Sequence, residues 1–137
     1  MPILDHLEPR TVFFYFEQLC AIPHGSGNTA AISDFCVRFA NERGLRVHQD
    51  KVGNVIIYKP ATPGYEAAPT VIIQGHLDMV AEKAPGCTLD MAKEPLQLRV
   101  DGDWIWAEGT TLGGDDGVAV LAGACEVDLA VLVGDTG

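Results

Sequence analysis

The run Thr70-Val71-Ile72-Ile73-Gln74 is short, uncharged and β-branched, and it stops at Gly75. β-Branched side chains pack well on a pleated surface, so these residues predict a strand. With no charge on either face, it is the kind of strand that lies inside a sheet covered on both sides. His76 and Asp78 follow, two residues apart. In an extended chain, side chains two apart project to the same side, so both can serve one site at the strand's end. A neutral imidazole suits zinc, and a nearby carboxylate can orient such a ligand or steady a catalytic water. His-x-Asp alone is a weak signal, a tripeptide with one free position. Its weight comes from Gly109-Thr-Thr-Leu-Gly-Gly-Asp115-Asp116-Gly117, which sets paired carboxylates in a glycine-rich loop just before an apolar run.

The flanking sequence supplies helices and hairpins. From about Glu8 to Cys20, apolar residues Val12, Phe13, Phe16, Leu19 and Cys20 recur at helical spacing. Ile22-Pro23-His24-Gly25-Ser26-Gly27-Asn28 breaks that helix, and Ser26 or Asn28 can cap the next. The second helix carries Ile32, Phe35, Cys36 and Phe39 and ends near Arg43, before Gly44. Leu45 to His48 and Asn54 to Tyr58 read as strands joined by a turn, and Asp101-Gly102 joins strands at Leu96–Val100 and Asp103–Ala107. Gly117 to Cys125 predicts a buried helix and Asp128 to Val133 a further strand. Helices interleaved with buried strands indicate an α/β layered fold.

A chain of 137 residues supports one domain with a single core. Its formal charge of −10, with nine Lys and Arg in all, argues against a nucleic-acid partner, because phosphate binding needs clustered cations. No apolar run is long enough to span a bilayer, and the first residues lack a basic stretch followed by an apolar core. No membrane partner and a cytoplasmic location are therefore expected. Cys20, Cys36, Cys87 and Cys125 form no Cys-x-x-Cys pair and read as buried reduced thiols.

Asp115 admits two readings. It could bridge two metals through its two oxygens, with Gly113-Gly114 allowing close approach, or it could cap the following helix, with Asp116 in the first turn. His24 lies in a Gly/Ser loop and could reach the same cleft, whereas His6 and His48 read as solvated surface residues. Trp104 and Trp106 share one face of a hairpin, where cross-strand packing accounts for them. Serine-hydrolase elbows, phosphate loops and His-Glu-x-x-His helices have no counterpart in this sequence.

In order and spacing, Ile22-Pro-His-Gly-Ser-Gly-Asn28, Asp50-x-x-Gly-Asn54, Gln74-Gly-His-Leu-Asp-Met-Val80, Thr88 to Pro95 and Trp104 to Gly117 resemble the cytosolic aminoacyl-histidine dipeptidases. These are the Xaa-His, or β-alanyl-histidine, enzymes among the dinuclear zinc exopeptidases. The resemblance covers residues from about 3 to 125 and implies a layered αβα catalytic domain with a mostly parallel central sheet. It implies metal-dependent hydrolysis of Xaa-His dipeptides by two Zn²⁺ ions, with Co²⁺ or Mn²⁺ as substitutes. By position, His76 resembles a histidine bound to one metal, Asp115 the aspartate bridging both, and Asp78 an active-site aspartate that orients His76. Family members are much longer, with a downstream glutamate as general base, a late histidine ligand and a lid domain that makes homodimer contacts. The expectation is that residues 1–137 are the N-terminal part of the catalytic domain, lacking the lid and inactive alone. His24, Gly114 and Asp116 depart from the Arg or Lys, Ala and Asn usual in the family. A related amidohydrolase that deacylates amino acids and a non-catalytic, metal-binding remnant are the alternatives.

Overall fold

The computed structural model describes residues 2–129. Helix α1, Arg10–Cys20, buries Phe16, Leu19 and Cys20 of the expected stripe together with Tyr15, while Val12 and Phe13 are half-buried at its margin. The Glu17 carboxylate accepts the backbone N–H groups of Ile3 (2.6 Å) and Leu4 (3.2 Å), which draws the N-terminal arm over α1 and buries Leu4 completely. Helix α2, Ala30–Glu42, buries Ile32, Ser33, Phe39 and Ala40. It ends where expected: Gly44 adopts φ +65° and the Leu45 N–H returns to the Ala40 carbonyl at 3.0 Å. The N-cap is Thr29 with no side-chain bond, so neither Ser26 nor Asn28 caps α2, and Ser26 is used elsewhere. The Arg43 guanidinium lies over the Phe39 ring, 3.6 Å from its centroid, and donates to the Tyr15 hydroxyl. That contact fastens the end of α2 to α1.

Strands β1, Arg46–Gln49, and β2, Val55–Tyr58, pair antiparallel, with Arg46 opposite Tyr58 and Gln49 opposite Val55. Between them Asp50 Oδ1 accepts the N–H groups of Val52 and Asn54, each at 2.9 Å, and Oδ2 accepts from the Asn54 amide at 2.7 Å. The Asp50-x-x-Gly-Asn54 motif is thus a side-chain-templated turn. Ser33, fully buried, donates to the Gly53 carbonyl at 2.7 Å and seats that turn on α2. Strands β3, Leu98–Asp101, and β4, Trp104–Ala107, form the expected second hairpin, which Leu98 anchors in the core with Leu4, Phe16, Leu19, Ile32 and Leu121. Helix α3, Gly114–Leu129, packs on α1. Cys20 and Cys36 are unbridged thiols in α1 and α2, and burial pushes them up to about 12 and about 11.

Helices and strands are both present, but they do not interleave as expected: among the described residues two helices precede four strands and one helix follows, and the sheets differ from expectation as well. Among the described residues there are two antiparallel two-stranded sheets and no mostly parallel central sheet. Residues 70–74 form no ladder, and Val71, Ile72 and Ile73 are 54%, 83% and 46% exposed instead of buried on both faces. The physical reason is the lack of a neighbour: the two hairpins satisfy their own inner edges, and no described backbone group pairs with residues 70–75. Asp128 and Leu129 belong to α3, not to a strand, and the rest of that expected strand lies outside the described residues. Trp104 and Trp106 are 77% and 42% exposed, so the face they share is the outer one.

The 71–79 segment is nevertheless seated, because Gly75 touches α3. A Cβ there would lie 2.8 Å from the Ala119 Cβ, 3.0 Å from Asp116 Oδ2 and 3.2 Å from the Val120 nitrogen. Two of those atoms belong to backbone or to a side chain with no freedom to move aside. Gly75→Ala should lower stability by roughly 1–3 kcal/mol, the usual cost of overpacking. Urea unfolding monitored by circular dichroism measures this, and an unchanged midpoint would refute the close approach.

Candidate functional site

Two backbone pairings bring the site together. On one side the Met79 N–H donates to the His24 carbonyl and the Ser26 N–H to the Met79 carbonyl, both at 3.0 Å. On the other, residues 82–84 run antiparallel to 109–111: the Ala84 N–H reaches the Gly109 carbonyl at 2.8 Å and the Thr111 N–H the Glu82 carbonyl at 3.0 Å. The Thr111 hydroxyl adds a bond to the Val80 carbonyl at 2.6 Å. The chain then turns at Gly113, whose φ of +76° suits glycine and whose Cβ would strike Met79 Sδ at 2.9 Å. Asp115 arrives above His76 as a result.

His76, Asp78 and Asp115 converge. His76 Nδ1 lies 2.9 Å from the Asp78 carbonyl oxygen and 3.1 Å from Asp78 Oδ1, while Nε2 lies 3.2 Å from Asp115 Oδ1. Asp116 Oδ2 accepts the His76 backbone N–H at 3.3 Å. Asp115 has the extended backbone of a residue at a helix start, but its carboxylate, open to solvent, turns to His76 and, among the described residues, makes no capping bond to a helix N–H. The Asp115–Asp116 peptide is cis. His24 does not join the group; its ring is buried and its Nδ1 sits 2.6 Å from the Ile22 carbonyl oxygen. His6 and His48 are exposed as expected.

The electrostatics follow from the geometry. Two acceptors on Nδ1 favour a proton there, which in a neutral ring leaves a lone pair on Nε2 facing the Asp115 oxygen. Two lone pairs cannot hold that contact without a cation between them. A proton is one such cation, so the bond to Asp115, then the Asp78 carbonyl, hold His76 above its usual range. Asp78 is held below the usual carboxylate range, chiefly by the Ser26 hydroxyl and also by the charge of His76.

A divalent metal is the other candidate cation. Bonds of about 2.0–2.2 Å at tetrahedral angles leave nitrogen and oxygen donors about 3.4 Å apart, close to the separation seen here. The donor chemistry fits as well, an imidazole nitrogen whose second nitrogen is fixed by a carboxylate. Asp78 is not free to be a donor, since its oxygens face Nδ1 and Ser26. Among the described residues no group of three or more His, Cys, Asp or Glu is arranged to hold a metal. The site therefore offers two donors.

Sequence reasoning missed Ser26 and Thr111 as parts of this arrangement. Ser26 reaches Asp78 across 52 residues and Thr111 reaches Val80 across 31, distances at which no local pattern signals contact.

Comparison with known proteins agrees with the motifs. The chain is 40% identical over 122 residues to the cytosol non-specific dipeptidase of Escherichia coli K12, covering 89% of this chain and 25% of that protein. It superposes on the crystal structure of aminoacylhistidine dipeptidase from Vibrio alginolyticus with a TM-score of 0.85 at 39% identity, covering 93% of this chain and 26% of the other. A tripeptidase from Staphylococcus aureus subsp. aureus mu50 shares the fold, with a TM-score of 0.69 at 20% identity over 88% of this chain and 31% of that one. No family model matches the chain. The resemblance to the aminoacyl-histidine dipeptidases is borne out in sequence and in fold, and the chain spans about a quarter of the length of those two relatives.

Since His76 is raised, the charged ring stabilises the folded chain below the ordinary imidazole value, and that contribution is lost as pH rises through the folded value. In the metal-free chain, the His76 ring proton followed by NMR should titrate above 6.5, and Asp115→Asn should bring the midpoint down. A wild-type midpoint at or below 6.5 would refute the His76–Asp115 contact.

Proposed function

We propose that this chain is the N-terminal part of the catalytic domain of a cytosolic aminoacyl-histidine dipeptidase, a metal-dependent enzyme that hydrolyses Xaa-His dipeptides. The observation that carries the reading is the placement of His76 between two carboxylates, Asp78 on one ring nitrogen and Asp115 on the other. The similarity to two dipeptidases, one named for aminoacylhistidine substrates, supports the substrate class.

In this reading His76 Nε2 and Asp115 are metal ligands, and Asp78 is the residue that orients His76. Asp78 keeps the proton on Nδ1, so that the Nε2 lone pair is directed toward the cation, and its charge raises the basicity of the ring. Zn²⁺ supplies Lewis acidity toward a peptide carbonyl and acidifies water to near neutrality. Two such ions per complete site are proposed, with Co²⁺ or Mn²⁺ as substitutes. Asp115 has a free oxygen with which to meet a second ion, its side chain being 96% exposed. Asp116 holds the His76 main chain and keeps the ligand facing Asp115.

The finer architecture belongs to the same proposal. In the complete domain the 70–74 segment is a strand of a mostly parallel sheet between helical layers, which would cover the exposed Val71, Ile72 and Ile73. The complete protein carries a separate lid domain, acts in the cytoplasm on small dipeptides and forms homodimers. The cytosolic relative supports the location.

Two donors bind zinc less tightly than the four of a closed structural site. Titration calorimetry of the chain with Zn²⁺ should show weak binding that strengthens as pH rises and His76 loses its proton, and His76→Ala should abolish it. Tight binding unaffected by that substitution would overturn the assignment.

General-base assistance is worth about two to four orders of magnitude in rate, and the carboxylates that bond His76 among the described residues, Asp78, Asp115 and Asp116, are each engaged in holding it. The 137-residue chain with added Zn²⁺ should therefore not turn over β-alanyl-histidine, whereas a longer natural chain containing it should. Preference of that longer chain for acyl-amino acids over Xaa-His dipeptides would refute the substrate class.

A further inference from the structure

We propose that Ser26 is a positioning residue for His76, acting through Asp78: its hydroxyl holds one carboxylate oxygen so that the other stays on the imidazole. This deepens the reading of His76 as a metal ligand and rests on it only where metal affinity is concerned.

The Ser26 hydroxyl donates to Asp78 Oδ2 at 2.5 Å, and Asp78 Oδ1 lies 3.1 Å from His76 Nδ1. Each carboxylate oxygen thus has one partner. Asp78 is 41% exposed at its side chain, and a carboxylate in that setting with a single partner exchanges it readily for water. A second partner on the opposite oxygen fixes the plane of the carboxylate and removes the competing rotamers. Ser26 can do this because it is itself held. Its N–H donates to the Met79 carbonyl, and the Met79 N–H donates to the His24 carbonyl, so the loop is clamped to the residue next to Asp78. The hydroxyl and its acceptor therefore belong to one backbone pairing, although 52 residues separate them in sequence.

Donation to the ionised carboxylate also agrees with the lowered Asp78, for which this bond is the largest cause. The arrangement is not a nucleophilic triad. The hydroxyl bonds the carboxylate, not the imidazole, and an ionised carboxylate is far too weak a base to activate a hydroxyl as imidazole does. From Ser26 the order runs to Asp78, to His76 and then to Asp115, with the serine at the far end from the cation site.

The test uses the 137-residue chain as wild type, Ser26→Ala, Ser26→Cys and Ser26→Thr, each with a circular dichroism melt. At one fixed pH above the His76 midpoint of every variant, metal-free, the ring nitrogen shifts of His76 in long-range proton–nitrogen spectra report which nitrogen of the neutral ring carries the proton. Wild type and Ser26→Thr should hold it on Nδ1, while Ser26→Ala and Ser26→Cys, which lack a strong donor, should shift toward the mixed tautomers of a free ring. Zn²⁺ affinity by calorimetry should fall about three- to tenfold in Ser26→Ala and Ser26→Cys, less than the loss expected for a direct partner of the ligand, and recover in Ser26→Thr. Unchanged ring shifts in both donor-deficient variants, or no recovery with threonine, would overturn the proposal. Ring shifts that respond to Ser26 in a chain with no His76-dependent zinc binding would uphold the positioning role and sink the metal reading. Zinc binding that requires His76 but ignores Ser26 would do the reverse.

Discussion

The arrangement depends on one steric allowance, the contact of Gly75 with the first turns of α3. Residues 70–75 have no backbone partner among the described residues, so between the loop before them and the pairing at Met79 their position is set by the contact at Gly75. Ala119 and the Val120 backbone leave room for a hydrogen and not for a methyl group. The same contact brings Asp116 onto the His76 N–H. Gly113 performs the matching task from the other strand of chain, turning tightly over the buried Met79. Without both approaches His76 and Asp115 would be two unrelated exposed residues.

Gathering carboxylates has an electrostatic cost in a chain that already carries a formal charge of −10. Asp78, Asp115 and Asp116 all face one histidine residue, two through the ring and one through the main chain. Such a cluster relaxes when it takes up positive charge. A proton on the raised His76 is one answer to that field, and a cation held at Nε2 would compete with it for the same lone pair. Asp78 and Asp115 are thereby distinguished by surroundings alone. Asp78 is engaged on both oxygens, whereas Asp115 is free on one side and open to solvent.

Much of this was legible in the sequence. The apolar stripes of α1 and α2 end within a residue or two of where their spacing and Gly44 indicate, because local burial and a left-handed terminator decide those boundaries. Both hairpins follow their turn residues for the same reason. His76, Asp78 and Asp115 could be singled out because ligand chemistry restricts residue type, and glycines beside them reported crowding. What could not be read were relations between distant segments. Ser26 looked like a helix cap because a serine after a break usually is one; here its hydroxyl found Asp78 instead. The uncharged run at 70–74 spoke for burial, but burial requires a covering partner, and no described segment provides it. Trp104 and Trp106 alternate correctly on β4, yet alternation cannot say which face turns outward.

The bond between the Ala84 N–H and the Gly109 carbonyl also bears on how such a site can assemble. His76 and Asp115 are 39 residues apart, and closing a free loop of that length would order the whole stretch at once. With residues 84 and 109 already joined, the β3–β4 hairpin becomes a side branch, and the remaining circuit from His76 to Asp115 is only about fifteen residues, lowering the closure cost by roughly 1 kcal/mol. The hairpin thus acts as a splice that shortens the path between His76 and Asp115. Length inserted within it would leave that path unchanged, whereas length inserted between 76 and 84 or between 109 and 115 would lengthen it directly.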